Sequence, residues 1–276
     1  MKPAAFRIPK MRAKQHPVSS TSPRSRKPGK KRVDVLLVER GLAPSRERAQ
    51  ALLLAGQVHV NSQRAEKAGT QISEDARIEI IGETQRYSSR GGLKLEGALK
   101  DFDVSALDKI CADIGSSTGG FTDCLLQHGA QKVYAIDVTI DQLDWKLRQD
   151  PRVVQVECNA RYLRPEALGP EYLGQAAELI TADVSFISVT KIMPALVAIG
   201  RPGADFLILI KPQFELEKRE VGKGGIVRDA QLHQKAIDRV LAAAGQAGLQ
   251  IDSVRPSCLP GTEGNQEFFL HARSRD

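Results

Sequence analysis

The sequence lacks any long apolar run. Its longest uninterrupted apolar segments, such as Phe206–Ile210, reach only five residues, far short of the ~20 that a helix needs to cross a bilayer. A helical membrane span is excluded, and no membrane partner is expected. Paired cysteines are also missing: Cys111, Cys124, Cys158 and Cys258 stand singly, with no C-x-x-C spacing. That argues against zinc or dithiol chemistry, and no metal is expected. Three of the four lie within apolar segments, so all are read as reduced core thiols of a cytoplasmic protein. The third deficit is local. Residues 1–32 contain no Asp or Glu but eleven Lys or Arg, leaving 29 basic against 33 acidic residues in the remainder. The formal charge of +7 therefore belongs to the tail alone. Rich in Ser and Pro and poor in bulky apolar residues, residues 1–31 are expected to form a disordered basic tail attracted to polyanions. The tail is acid-poor, as transit peptides are, but Met1–Phe6 has no secretory apolar core. A nucleic-acid-binding arm is the preferred reading.

From Arg32 the pattern turns helical. Val35, Leu36 and Val38 lead to a stop at Gly41, Ser45 is placed to cap a second helix, and Gly56 closes it. Ala49, Leu52 and Leu53 fall on one side of that helix, and short strands follow at Val58–Val60 and Arg77–Ile81. The order helix, R-x-x-A, G-x-V-x-V-N and closing apolar strand over residues 32–81 resembles the S-four RNA-binding domain. The resemblance implies a small α+β module that binds RNA through its second helix and the turn after it. Arg46, Arg48 and Arg64 are the residues placed to meet phosphates, although any lone arginine can equally be a solvated helix residue. Residues 82–90 are read as a linker.

The remainder, residues 91–276, alternates strands with helices. Strands are expected at Ile110–Ile114, Val133–Ile136, Val153–Val156, Glu178–Ala182, Phe206–Ile210, Ile251–Val254 and Glu267–His271, with a helix over Asp229–Ala247. Such alternation gives an α/β fold with a largely parallel sheet covered on both faces. Two strands end on a charge where ligands bind in such sheets: Asp183 after Ala182, and Lys211 after Ile210. Each is either a solvated strand end or a working group. Between the first two strands lies Gly115-Ser-Ser-Thr-Gly-Gly120, a glycine-rich turn opening a helix. Its D-x-G-x-x-x-G-G arrangement resembles the S-adenosylmethionine loop of ribose methyltransferases. That implies a Rossmann-like domain in which Asp113, Gly115, Ser116, Ser117, Gly119, Gly120 and Phe121 surround the cofactor, Asp137 accepts hydrogen bonds from its ribose hydroxyls, and Asn159 borders its adenine.

With "SRGGLKLEGAL", "DIGSSTGGFTD", "ADVSFISV", "LIKPQFE", "VGKGGIVRD" and "EGNQEFF" taken together, the chain resembles the TlyA family from about Arg32 to Ala272. These proteins are known as haemolysin-like and as rRNA 2′-O-methyltransferases with an FtsJ-type catalytic domain. The resemblance implies S-adenosylmethionine as methyl donor and rRNA or ribosomal subunits as partner, with cytidine as target. It also implies a catalytic tetrad at Lys94, Asp183, Lys211 and Glu267, with Asp183 also beside the cofactor. Arg90 and Lys223 are added as RNA contacts. Singly, Lys94 could be a surface helix lysine, Asp183 a helix cap and Glu267 a charge beside an edge strand.

The chemistry suits those residue types. Attack of a ribose hydroxyl on a sulfonium methyl demands in-line alignment and a proton acceptor, and a lysine accepts only when neutral, about one molecule in a thousand for a free lysine at pH 7. Lys211 is assigned that role, Asp183 orients it, and Lys94 and Glu267 hold the ribose. A base methyltransferase would need an Asn/Asp-Pro-Pro-aromatic turn or a nucleophilic cysteine, and the chain has Asp183-Val-Ser-Phe186 instead. A noncatalytic RNA-binding assembly factor is the remaining alternative. The glycine-rich segment Glu217–Arg228 is expected to be mobile without RNA.

Overall fold

The computed structural model describes residues 29–65, 67–80, 86–173, 176–261 and 263–275. Most of the expected basic tail, residues 1–28, lies outside them. The chain divides into two compact units, Met1–Thr84 and Gln85–Asp276.

In the first unit, strand β1 (Lys30–Arg32) leads into helix α1 (Val33–Glu39), then α2 (Arg46–Leu54) and short strands β2 (Val58–Val60), β3 (Gln63–Arg64), β4 (Gln71–Ser73) and β5 (Ile78–Ile80). Helix α2 starts where Ser45 Oγ accepts the Arg48 N–H at 3.2 Å, the expected cap. It buries Ala49, Leu52 and Leu53 against Val33, Leu37 and Val58. One boundary moves: Lys30 and Lys31, assigned to the tail, pair in an antiparallel ladder with Ser73 and Ile72.

Among the described residues the second unit carries seven strands: β6 (Ile110–Ile114), β7 (Lys132–Asp137), β8 (Val153–Glu157), β9 (Ala177–Ala182), β10 (Gly200–Ile210), β11 (Leu249–Pro256) and β12 (Phe268–Ser274). Helices α3 (Gly91–Asp101), α4 (Gly120–Gln127), α5 (Trp145–Gln149), α6 (Pro170–Leu173), α7 (Met193–Ile199), α8 (Pro212–Glu215) and α9 (Ala230–Gln246) connect or precede them. The sheet order is β11-β12-β10-β9-β6-β7-β8. Strands β8, β7, β6, β9 and β10 are parallel, whereas β12 runs antiparallel to both β10 and β11. Its central strands are buried on both faces. On β10, Phe206, Ile208 and Ile210 enter one core, and Leu207 and Leu209 enter the other, which explains why that strand reads as an unbroken apolar run.

Strand order reverses between β6 and β9, and in open α/β sheets that switch point opens a crevice at the carboxyl edge. Two expectations change in this unit. Residues 86–90 are no free connector, because Tyr87 is buried and the Ser88 N–H donates to Asp123 Oδ2 at 2.8 Å. The thiols are all free, but only Cys111 and Cys124 are core thiols; Cys158 is half-buried and Cys258 exposed. Among the described residues no helix is long and apolar enough to cross a membrane.

Candidate active site

The glycine-rich turn leaves β6 with Gly115 at φ +83°, Ser117 at +47° and Gly119 at +92°. Gly115 must be glycine for two reasons. Its backbone is left-handed, and a Cβ would stand 2.3 Å from the Asp183 carbonyl oxygen, so the loops after β6 and β9 touch backbone to backbone. Gly119 caps α4, and Gly120 begins it. Ser117, strained for a residue with a side chain, is held by its N–H, which donates to Asp137 Oδ2 at 2.8 Å. The Val138 N–H donates to the other oxygen, Oδ1, at 2.7 Å. The Asp137 carboxylate is thereby fixed at the end of β7, with one lone pair on each oxygen still open.

Asp137 and Ser117 line a cleft of about 470 Å³ with apolar walls from Ile136, Val138, Ala160, Val184 and Ile187. Asn159 lines it too; its Oδ1 accepts the Arg161 N–H at 3.0 Å, leaving the amide nitrogen to meet a ligand. A paired acceptor beside an apolar slot fits the ribose and base of a nucleoside.

Gly115, Ser117 and Asp183 also wall a second pocket of about 230 Å³. All four expected tetrad residues line it, together with Arg90, Ser116, Gly120 and Phe121. The tetrad forms two ion pairs. Lys211 Nζ lies 2.6 Å from Asp183 Oδ1 at an angle that does not make a hydrogen bond, and it donates to Ser185 Oγ at 2.8 Å. Lys94 Nζ donates to Glu267 Oε2 at 2.5 Å, and both residues are buried. Glu267 arrives by topology. Because β12 is antiparallel, Phe268 pairs with Ile210, and the residue before Phe268 stands across from the residue after Ile210, at the same sheet edge. Neither strand of that pair is an edge strand. Ser116 Oγ, buried and without a protein partner, also belongs to this pocket. An orphaned hydroxyl is the kind of group a bound ligand satisfies.

Asp113 and Gly119 line neither pocket. Asp113 is fully buried beneath the turn, where the Thr122 hydroxyl donates to Oδ2 at 2.7 Å and the Thr181 hydroxyl to Oδ1 at 3.1 Å. It supports the loop from below. Burial pushes its carboxyl up to about 7, against the two hydroxyl donors, which act to lower it. A carboxyl raised in the folded state stays protonated there while the unfolded chain ionises above about 4. Between pH 4 and 7 the folded state holds the extra proton, so stability falls as pH rises through that window. Asp113→Asn is expected to flatten this slope, read as melting temperature between pH 5 and 8 for both proteins. Equal slopes would contradict the buried-acid account.

Over residues 87–274 the chain matches the FtsJ-like methyltransferases, and over residues 31–78 the S4 domain. It is 44% identical over 246 residues to the 16S/23S rRNA (cytidine-2′-O)-methyltransferase TlyA of Mycobacterium tuberculosis, covering 88% of this chain and 90% of that protein. The chain belongs to the TlyA family of FtsJ-like methyltransferases. Other relatives carry a different name. Hemolysin A of Brachyspira hyodysenteriae is 42% identical over 87% of this chain and 98% of its own length. A solved structure from Streptococcus thermophilus that bears a hemolysin name is 43% identical, with a TM-score of 0.68 and 90% of each chain covered.

Within this TlyA-family chain, the expected RNA contacts Arg46, Arg48 and Arg64 belong to the first unit and Arg90 and Lys223 to the second. Arg46 is ion-paired at 3.0 Å with Asp34, whose carboxyl is held well below the usual range chiefly by the Arg32 guanidinium. The Arg64 guanidinium lies over Gly56, which leaves no room for a side chain there. Arg48 lies in the first turn of α2. Lys223 falls in a short 3-10 turn, and its side chain is outside the described residues. The segment Glu217–Arg228, expected to be mobile, is anchored near its C-terminal end. Buried Asn265 accepts the Val227 N–H at 2.9 Å and donates to the Gly225 carbonyl at 2.9 Å, and Val227 packs with Leu216 and Ala236. Asn265, Ser185 and Glu215 escaped selection from the sequence although each sits inside a quoted motif.

Proposed function

We propose that this protein transfers a methyl group to the 2′-hydroxyl of a ribose in rRNA, with cytidine as target nucleoside. The single observation that carries the reading is the Lys211–Asp183 pair, 2.6 Å apart in the tetrad pocket, with Asp183 also lining the nucleoside-shaped cleft. The named activity of the Mycobacterium tuberculosis relative supports it. S-adenosylmethionine, when bound, would supply an electrophilic methyl carbon with its sulfur as the leaving group.

The residues divide the remaining work. Asp137 accepts the cofactor's ribose hydroxyls through its two open lone pairs, with Asn159 and the apolar walls beside the adenine. Gly115, Ser116, Ser117, Gly120 and Phe121 shape the passage to the second pocket, while Asp113 and Gly119 hold the turn. Neutral Lys211 takes the 2′-hydroxyl proton and becomes an ammonium, and Asp183 stabilises that charge. Lys94, held by Glu267, points a donor at the target ribose. Arg46, Arg48, Arg64, Arg90 and Lys223 contribute phosphate contacts.

Asp137→Ala is expected to weaken S-adenosylmethionine binding by roughly 1–3 kcal/mol, through lost hydrogen bonds to a charged acceptor. Calorimetry checks it, and unchanged affinity would overturn the assignment of the cleft. Mapping 2′-O-methyl positions on rRNA from cells with and without the gene tests the function itself. A cytidine ribose methylated only when the gene is present is the expected outcome.

A further inference from the structure

A lysine that accepts a proton must present one particular valence to the substrate. Neutral Nζ carries two N–H bonds and one lone pair in a tetrahedral arrangement, and two acceptors flank Lys211 Nζ: Asp183 Oδ1 at 2.6 Å and Ser185 Oγ at 2.8 Å. The amine donates to Ser185 Oγ and stands in ion-pair contact with Asp183 Oδ1, and the two together restrict how it can turn toward the pocket. Both acceptors belong to the segment that leaves β9, and Lys211 belongs to the segment that leaves β10. The aim of the lone pair therefore depends on how those two segments are tied together beyond the strands.

The tie is made by Glu215. Its carboxylate is buried; Oε2 accepts the Ser188 hydroxyl at 2.5 Å, and Oε1 accepts the Val189 N–H at 2.9 Å. Glu215 closes α8, the single turn that Pro212 opens directly after Lys211. Ser188 and Val189 come five and six residues after Asp183. Between the two anchors the segment is poorly supported: Ser185 and Phe186 are exposed, and Phe186 sits at φ +65°, a strained conformation that persists only where its surroundings impose it. The Phe186 and Phe214 rings meet across the same gap with centroids 5.6 Å apart. Burial raises the Glu215 carboxyl above its ordinary value, against the donors from Ser188 and Val189. Both carboxylate oxygens are engaged as acceptors, one from Ser188 and one from Val189.

We propose that Glu215 is a positioning residue for methyl transfer, tying the segment after Asp183 to the turn after Lys211 so that Ser185 and Asp183 together aim the Lys211 amine into the pocket. This rests on the reading of Lys211 as proton acceptor. It predicts damage to turnover with binding spared, because misplacement by about 1 Å can cost roughly 100-fold in rate without removing any group that touches the ligands.

The test compares Glu215→Ala, Glu215→Gln, Ser188→Ala and Lys211→Ala in the full-length chain, reading kcat and KM on rRNA, calorimetric affinity for S-adenosylmethionine, and melting temperature. Glu215→Ala is expected to lower kcat roughly 10- to 100-fold well below its melting temperature, with KM and cofactor affinity within about twofold. Ser188→Ala should fall in the same direction by less. Glu215→Gln should recover most of the lost kcat, since an amide oxygen still accepts from Val189 and its nitrogen can donate to Ser188 Oγ. Wild-type kcat in Glu215→Ala, a loss confined to KM or cofactor affinity, or a loss no greater than the unfolded fraction would overturn the proposal. If Glu215→Ala does not fold, Ser188→Ala decides by the same criteria. An inactive Lys211→Ala beside a fully active Glu215→Ala removes this proposal alone, whereas an active Lys211→Ala removes the underlying reading.

Discussion

Lys211→Ala is expected to lose methyl transfer by at least about 10³-fold while binding S-adenosylmethionine and RNA within about twofold of the parent. The loss follows from the group removed. General-base catalysis is worth roughly 10²–10⁴-fold, and the other lysine lining the pocket, Lys94, is held on Glu267, away from Asp183 and Ser185. Binding survives because the cleft around Asp137 takes its lining from other strand ends. Lys211→Arg sharpens the point. A guanidinium keeps the positive charge and can pair with Asp183, yet it stays protonated and has no acceptor site. It should be as inactive as alanine. Activity retained by Lys211→Arg would mean that charge, not proton acceptance, is what the position supplies.

The second large effect is expected from removing residues 1–84. The fragment 85–276 has its own two-faced core and every residue of both pockets, so it should bind S-adenosylmethionine like the full chain. On rRNA its methylation rate should drop roughly 100-fold or more, since phosphate contacts supply most of the affinity for folded RNA and the S4 domain carries Arg46, Arg48 and Arg64. Comparing both proteins at two salt concentrations checks this. A fragment that modified the same nucleotide at the parent rate would show that the S4 domain does not deliver the substrate.

Much of this was legible in the sequence because strand ends are legible. An apolar run stopping on Lys211, and another on Asp183, locate the carboxyl edge of a sheet without any knowledge of strand order. Glu267 was different. Its presence at the site depends on β12 running antiparallel beside β10, and no local pattern reports strand direction, so only family resemblance reached it. Side-chain ties between distant segments left no trace either. Ser188 and Glu215 are 27 positions apart, and Asn265 reaches 38 and 40 positions back to Val227 and Gly225. Three glycines at Gly222, Gly224 and Gly225 suggested a mobile loop, and no local pattern showed that Asn265 holds Gly225 and Val227 at its end. Asp113 misled in the opposite sense: a motif acid beside a cofactor turn reads as a contact, yet its carboxylate faces Thr122 and Thr181 inside the protein.

The central claim is ribose methylation, and the most direct test is the chemical identity of the product. Purified full-length protein is incubated with rRNA and S-adenosylmethionine carrying a labelled methyl group, the RNA is digested to nucleosides, and the labelled nucleoside is identified by mass spectrometry. The account predicts label in 2′-O-methylcytidine, with the mass shift on the sugar fragment, and none when Lys211 is replaced by alanine. Label on a base fragment, or full labelling by Lys211→Ala, would contradict it.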